Sequence, residues 1–251
     1  MITVSGLKAG YEGEEILHGV NGSVPAGKIS VVIGPNGSGK STFLRTIVRL
    51  VPTLSGNIFL DGSPLEQFSR QELARRIAYL PQSRNIPDIT VNRMVMHGRF
   101  PYLSYPRRYS KEDHEIVRRS LETAGLTNLA EAKMETLSGG QRQKAYLAMV
   151  LAQDTDVILM DEPTTWLDIR NQLEMMNFVR GLADNGKTVL MVLHDFESVL
   201  RFADHVILME NGMVRAFGMP KEVLGSPETK NAFGLEVGFF RTEDGEHCYV
   251  K

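Results

Sequence analysis

The chain has 251 residues, 42% apolar and 23% charged, which favours one elaborated domain or two small ones with an ample core. Its 28 basic and 30 acidic residues give a net charge of -2, which excludes a strongly basic nucleic-acid binder and an acidic tail. One cysteine, Cys248, excludes a disulfide framework or a Cys-rich zinc cluster, fits a reducing compartment and reads as an incidental thiol.

The N-terminal stretch MITVSGLKAGYEGEE has no basic region followed by an apolar one, so no signal peptide is expected. No apolar run approaches the ~18–20 residues of a membrane span. Roughly the first 30 residues and residues 57–60 read as antiparallel strands with glycine turns, a small side sheet. ISVVI (29–33), IAYL (77–80), VILM (157–160) and TVLMVL (188–193) are continuous apolar runs. They read as strands covered on both faces, as in a parallel sheet. A helical pattern follows the first of them from Thr42 to Leu50.

Residues 85–152 hold no convincing strand and read as an all-helical insertion. Ser110 before Lys-Glu-Asp is a capping-box pattern, and Val117, Leu121 and Ala124 follow at helical spacing, which predicts a helix over 111–125. A second helix is expected over about 140–152. Arg99, Arg107, Arg108, Arg118 and Arg119 make this segment locally basic, either a solvated face or a docking face for a partner. Ile169, Leu173, Met176, Val179 and Leu182 share one face of a packed helix over 169–184. Asn211-Gly212 between two apolar runs predicts a hairpin, and Asp244-Gly245 predicts another in the tail. The 12 methionines read as core filling.

Gly34-Pro35-Asn36-Gly37-Ser38-Gly39-Lys40-Ser41 matches GxxxxGK[ST], after a strand pattern and before a helical one that opens at Thr42. Glycines let the backbone wrap an anion, and N–H groups at a helix start converge on phosphate oxygens. Lys40 adds a cation, and Ser41 offers a hydroxyl to Mg2+. Asp161 and Glu162 end the 157–160 strand at the edge where open α/β sheets bind ligands. Asp161 is the candidate Mg2+ holder. Strand alternation sends Glu162 the other way, as candidate general base for an attacking water. Ser138-Gly139-Gly140-Gln141 opens another helix, a second phosphate grip or simply a capped loop.

The order GPNGSGKS, Gln82, LSGGQ, VILMDEP, His194 resembles the ATP-binding subunit of an ABC transporter over about residues 1–220. The resemblance implies a P-loop NTPase (RecA-like) α/β fold: a parallel sheet core, an antiparallel β side sheet and an inserted all-α subdomain. The expected division is a discontinuous nucleotide-binding core (1–84 and 153–218), a helical subdomain (85–152) and an appendage with a hairpin (219–251). It implies ATP as substrate with Mg2+. Ser138, Gly139, Gly140 and Gln141 would reach the γ-phosphate held by a second copy in a head-to-tail dimer. Tyr11 matches the aromatic that stacks on adenine, or is a packing aromatic. Gln82 matches the glutamine that contacts Mg2+ or water and joins the core to the helical insert, or is a surface residue. His194 matches the switch at the γ-phosphate, or is a neutral hydrogen-bonded histidine. Asp168 matches a contact with the opposite subunit and can also cap helix 169–184.

HGRFPYL (97–103), LAQDT (151–155), TTWLDI (164–169, with Trp166) and GLEVGFF (234–240) resemble the importer ATPases for ferric siderophores, haem and cobalamin. This implies an iron-complex importer with separate permease subunits docked through about residues 85–110. A substrate-binding protein would act indirectly, nucleic acid would have no part, and the chain would sit peripherally on the cytoplasmic face of the membrane. The competing classes are a soluble non-transport ABC ATPase, a small-molecule P-loop kinase and a non-hydrolysing assembly module. The first usually carries coiled-coil arms or tandem cassettes; Ser138–Gln141 oppose the second, and Glu162 with His194 oppose the third.

Overall fold

Strands with no polar face must be covered on both sides, and this requirement decides the architecture. The computed structural model describes the whole chain except Glu12, Ser83, Arg84, Asn85, Trp166 and Asp244. β1 (Ile2–Tyr11) and β2 (Glu14–Val24) pair antiparallel, followed by β3 (Ile29–Ile33) and α1 (Lys40–Ile47). β4 (Thr53–Leu60) and β5 (Ser63–Pro64) complete a side sheet in the order β2-β1-β4-β5. α2 (Arg70–Ala74) leads to β6 (Ile77–Leu80). α3 (Val91–Met96), α4 (Lys111–Thr123) and α5 (Gly139–Ala152) fill the stretch before β7 (Val157–Met160). Among the described residues there, the only β pairing is a single bridge, Thr90 to Lys133.

α6 (Ile169–Asp184), β8 (Thr188–Val192), α7 (Phe196–Phe202), β9 (His205–Glu210) and β10 (Met213–Gly218) follow. α8 (Pro220–Leu224), α9 (Pro227–Phe233) and the hairpin β11 (Val237–Thr242) with β12 (Gly245–Val250) end the chain. The main sheet runs β10-β9-β3-β8-β7-β6 and is parallel except at its β10 edge. Every residue of β3, β7 and β8 is buried. Val31, Ile158, Met160 and Met191 pack toward α5 and α6, while Val32, Leu159, Leu190 and Val192 pack toward α1 and the side sheet. The fold class expected from the sequence is the one observed.

The register aligns Leu80, Met160, Met191 and Val31 in one row. The segments carrying Gly34, Gln82, Asp161 and His194 therefore leave the sheet at the same carboxyl edge, where ligands bind in open α/β sheets.

Four expectations need correction. The first helix stops at Ile47 and not Leu50, because Arg49 turns left-handed (φ 58°). Its N–H bonds Thr46 O and the Leu50 N–H bonds Arg45 O, the Schellman pattern, here built on an arginine that gives no stop signal. α4 ends at Thr123 by the same device with Gly125 (φ 68°), and β8 stops at Val192, although the Leu193 N–H still donates to Val32 O (3.3 Å). On α6 the buried face is Met175, Met176, Val179 and Ala183; Ile169 and Leu173 are 85% and 40% exposed, because the first turns extend past the core.

The basic segment does not present one cationic face. Arg118 and Arg119 pair with Glu115 on α4 itself, whereas Arg107 and Arg108 are exposed. Arg99 is buried: its Nε donates to Asp113 Oδ1 (2.8 Å), its Nη1 donates to Ala152 O (2.9 Å), and it lies over the Tyr102 ring (3.8 Å). It ties the start of α4 to the end of α5. Burial pushes the Asp113 carboxyl up, but Arg99 and the Ser110 cap outweigh it and hold the group below the usual range. Arg99→Ala leaves that carboxylate buried without its cation. The expected cost is about 3–5 kcal/mol in urea unfolding; a loss under about 1 kcal/mol contradicts the account.

Candidate active site

The phosphate-loop motif sits between the end of β3 and the start of α1. At Gly34 (φ 153°) an added Cβ would lie 2.1 Å from Met209 O and 2.7 Å from Ser38 Oγ. Only glycine lets the chain curl there against β9. The loop is braced from behind: the Gly212 N–H donates to Ser38 O (3.1 Å) and the His18 N–H donates to Gly212 O (2.9 Å). The Asn211-Gly212 turn is thus part of the loop's wall. Gly37 and Gly39 also have left-handed backbone (φ 79° and 96°).

Lys40 is 6% exposed, with its Nζ donating to Gly34 O (2.8 Å) and Pro35 O (2.9 Å). Burial pushes its ammonium below the ordinary value, and the charges of Glu162 and Asp161 oppose that. Ser38 Oγ is buried with no hydrogen-bond partner among the described residues. Ile16, the stretch from Asn36 to Thr42 and Glu162 line a cavity of about 250 Å³.

Across it, Asp161 is fully buried, accepts from Ser41 Oγ (2.8 Å) and Tyr79 OH (3.3 Å), and has its carboxyl pushed up by burial. Glu162 diverges from Asp161, but not by strand alternation: β7 ends at Met160 and Glu162 itself is left-handed (φ 51°). A non-glycine residue held there marks a constrained site. Its Oε2 accepts from Gln82 Nε2 (2.6 Å) and Thr165 Oγ1 (3.1 Å), and its Oε1 pairs with His194 Nε2 (2.7 Å). Burial pushes the Glu162 carboxyl up, but these three partners outweigh it and hold it below the usual range. Gln82, Glu162 and His194 therefore meet at one point.

Tyr11 is 40% exposed at the end of β1, and its hydroxyl accepts from Arg45 Nη1 (3.5 Å). Arg45 Nε also donates to Tyr79 OH (3.4 Å), which connects Tyr11 by side chains to Asp161. Burial pushes the Tyr79 phenol up to about 12. Sequence reasoning missed Tyr79, Arg45 and Thr165. Tyr79 was the polar exception within an apolar strand, the one signal available.

Ser138 caps α5 in a full box: the Gln141 N–H donates to Ser138 Oγ (3.3 Å) and the Ser138 N–H to Gln141 Oε1 (3.0 Å). Gly140 touches α6, since an added Cβ would be 2.8 Å from Asn171 Oδ1. Asn171 is pinned by both carboxylate oxygens of Asp168, which caps α6. Gly139 lines a cavity of about 240 Å³ with Gln82 and Glu162. None of residues 138–141 lines the phosphate-loop cavity of its own chain. Trp166 and Asp244 lie outside the described residues.

A phosphate loop, a buried acid on its hydroxyl and a second acid held ionised define the class: a P-loop nucleotide hydrolase with a separate glycine-rich helix start. The ABC transporter family model matches residues 17–165. The chain is 41% identical over 231 residues to the ferric enterobactin transport ATP-binding protein of Escherichia coli (strain K12), covering 91% of this chain and 85% of that one. It is 40% identical over 233 residues to the iron(3+)-hydroxamate import ATP-binding protein of Bacillus subtilis (strain 168), covering 92% and 87%. Among solved structures, a metal-chelate type ABC transporter in an inward-facing conformation superposes with a TM-score of 0.86 at 25% identity, over 100% of this chain and 96% of that one. A dimeric ATP-binding cassette with ADP and Pi, in a post-hydrolysis state, superposes at 0.75 with 28% identity, over 88% and 100%. The chain belongs to the ABC transporter family, as one of its ATP-hydrolysing subunits.

Gly34→Ala drives a methyl into the Met209 carbonyl, which is backbone and cannot swing aside. Destabilisation of about 1–3 kcal/mol or more is expected, with loss of nucleotide binding. A thermal melt and a nucleotide titration that both match wild type would contradict this.

Proposed function

We propose that this ATPase subunit powers uptake of a ferric siderophore through separate permease subunits, working as a head-to-tail pair of copies. The observation that carries the nucleotide chemistry is the convergence of Gln82, Glu162 and His194 opposite the phosphate loop. The cargo reading rests on relatives whose names specify ferric enterobactin and iron(3+)-hydroxamate transport.

In this reading the main-chain N–H groups of residues 34–42 hold the phosphates, with Lys40 moving from the loop carbonyls to the β- and γ-phosphates. Tyr11 stacks on the adenine. The residues present fit a Mg2+ ion bound with ATP. Ser41 and Asp161 already share a hydrogen bond, and Asp161 is a buried acid whose ionised form a cation would favour. Among the described residues no cluster of three acidic, His or Cys side chains forms a separate cage, and Mg2+ commonly takes one or two protein ligands beside phosphates and water. Ser41, Asp161 and Gln82 would hold it, and when bound it neutralises phosphate charge. Glu162 takes the proton of the attacking water. Its three hydrogen-bond partners hold its pKa below the usual carboxylate range, which keeps it ionised through neutral pH. His194 turns from Glu162 to the γ-phosphate.

Residues 138–141 lie outside the phosphate-loop cavity of their own chain, which supports their closing on ATP held by a second copy, with Asp168 at the same contact. ATP then favours the closed pair and hydrolysis releases it. No helix among the described residues is long and apolar enough to cross a membrane, so transport requires an embedded partner. The segment of about 85–110 with exposed Arg107 and Arg108 is the proposed permease contact, on the cytoplasmic face, and a substrate-binding protein acts through the permease.

Glu162→Gln is expected to bind ATP normally and to lower kcat by roughly 10²–10⁴, the usual worth of a general base. Near wild-type turnover would refute that role. Cells lacking the chain are expected to lose uptake of ferric siderophores but to keep haem and cobalamin uptake. Loss of either of the latter alone would move the assignment to that cargo.

A further inference from the structure

His194 stands on a three-residue linker, Leu193 to Asp195, between β8 and α7. The geometry points to the C-terminal hairpin as the strap that sets this linker: we propose that Glu197, clamped by β12, is a positioning residue for His194 in ATP hydrolysis. The proposal rests on the reading of His194 given above and adds to it a part of the chain that lies outside the family-matched residues 17–165.

Asp195 caps α7, accepting from the N–H groups of Glu197 (3.3 Å) and Ser198 (2.9 Å) and from Ser198 Oγ (2.6 Å). The linker therefore moves with the first turn of α7. That turn is held by two independent contacts from the tail. The Phe196 ring meets Phe233 of α9 edge-on, with centroids 5.0 Å apart. The Glu197 carboxylate accepts from His247 Nδ1 (2.6 Å) on one oxygen and from the Cys248 N–H (2.9 Å) on the other. Both donors lie on β12, and one is main chain, so the carboxylate is tied to the strand itself. His247 is held in turn by Thr242 Oγ1 (2.9 Å) and by stacking on Phe240 (5.3 Å). The Cys248 Sγ also donates to Glu197 Oε2 (3.6 Å), and burial pushes its thiol up to about 11.

At the other end of the linker, the Leu193 N–H donates to Val32 O (3.3 Å). His194 is thus fixed between a rigid strand and a short helix whose angle the tail determines. Its swing from Glu162 to a phosphate needs a linker that turns about a fixed end. Without the clamp the first turn of α7 keeps only the Phe196–Phe233 contact from the tail, and the imidazole is misplaced at the reacting end of the nucleotide. Misplacement on the ångström scale costs about 10²-fold in favourable cases.

The test is steady-state ATPase kinetics of the full-length chain with Glu197→Ala, His247→Ala, Glu197→Gln and His194→Ala. Expected are falls in kcat of roughly 10-fold to 10²-fold for the first two, with KM for ATP unchanged. Glu197→Gln keeps an oxygen for the Cys248 N–H and should retain most of the activity. Combining Glu197→Ala with His194→Ala should add no further loss, because both act through one group. His247→Ala removes a side chain at the hairpin surface and keeps the test alive should Glu197→Ala fold poorly. Wild-type kcat in both Glu197→Ala and His247→Ala overturns the strap. So does a loss that multiplies with that of His194→Ala. A fully active His194→Ala instead overturns the reading of His194, a separate result.

Discussion

The carboxyl edge of the main sheet depends on one backbone constraint: the main chain after β3 must curl close to neighbouring backbone. Gly34 makes the curl possible against Met209 O, and Gly212 closes the wall behind Ser38. Three segments far apart in the chain, from β2, β3 and the β9–β10 turn, therefore shape the loop. The parallel pairing of β3 and β9 brings two of them together, and β2 of the side sheet joins them through the His18 N–H on Gly212 O.

Charge is distributed over that edge by environment. Burial disfavours the charged forms of both Lys40 and Asp161, and each lies close enough to oppositely charged groups to offset part of it. Glu162 differs: three hydrogen-bond partners hold it ionised despite burial. Two adjacent acids thus acquire different tendencies, one suited to a cation and one to a proton. The left-handed backbone at Glu162 separates them, at a local conformational cost.

Much of this was legible in the residues. The apolar runs at 29–33, 77–80 and 157–160 are strands with those bounds, and helix 169–184 has those ends, because Asp168 caps it and its pattern is strongly periodic. The phosphate loop, both acids, Gln82 and His194 were legible as types in order. Less legible was anything set by tertiary packing. The Schellman stop at Arg49 carries no glycine, and the exposure of Ile169 and Leu173 depends on where the core ends. The burial of Arg99 depends on Asp113 and Ala152, which only the fold brings near. Arg45 and Tyr79 escaped notice because their meeting with Asp161 joins α1, β6 and the end of β7.

Hairpin tips are ordinarily where chains accept added residues, and the Asn211-Gly212 tip looks from its sequence like any other. Here Gly212 has backbone contacts to two sides, and an added Cβ would lie 1.9 Å from Ile16 O. Lengthening this turn would push the back wall out of line, so its two-residue size is frozen by the loop it braces. Peptide tags, reporter inserts and circular permutation should spare that connection, although it lies on the surface of an edge strand.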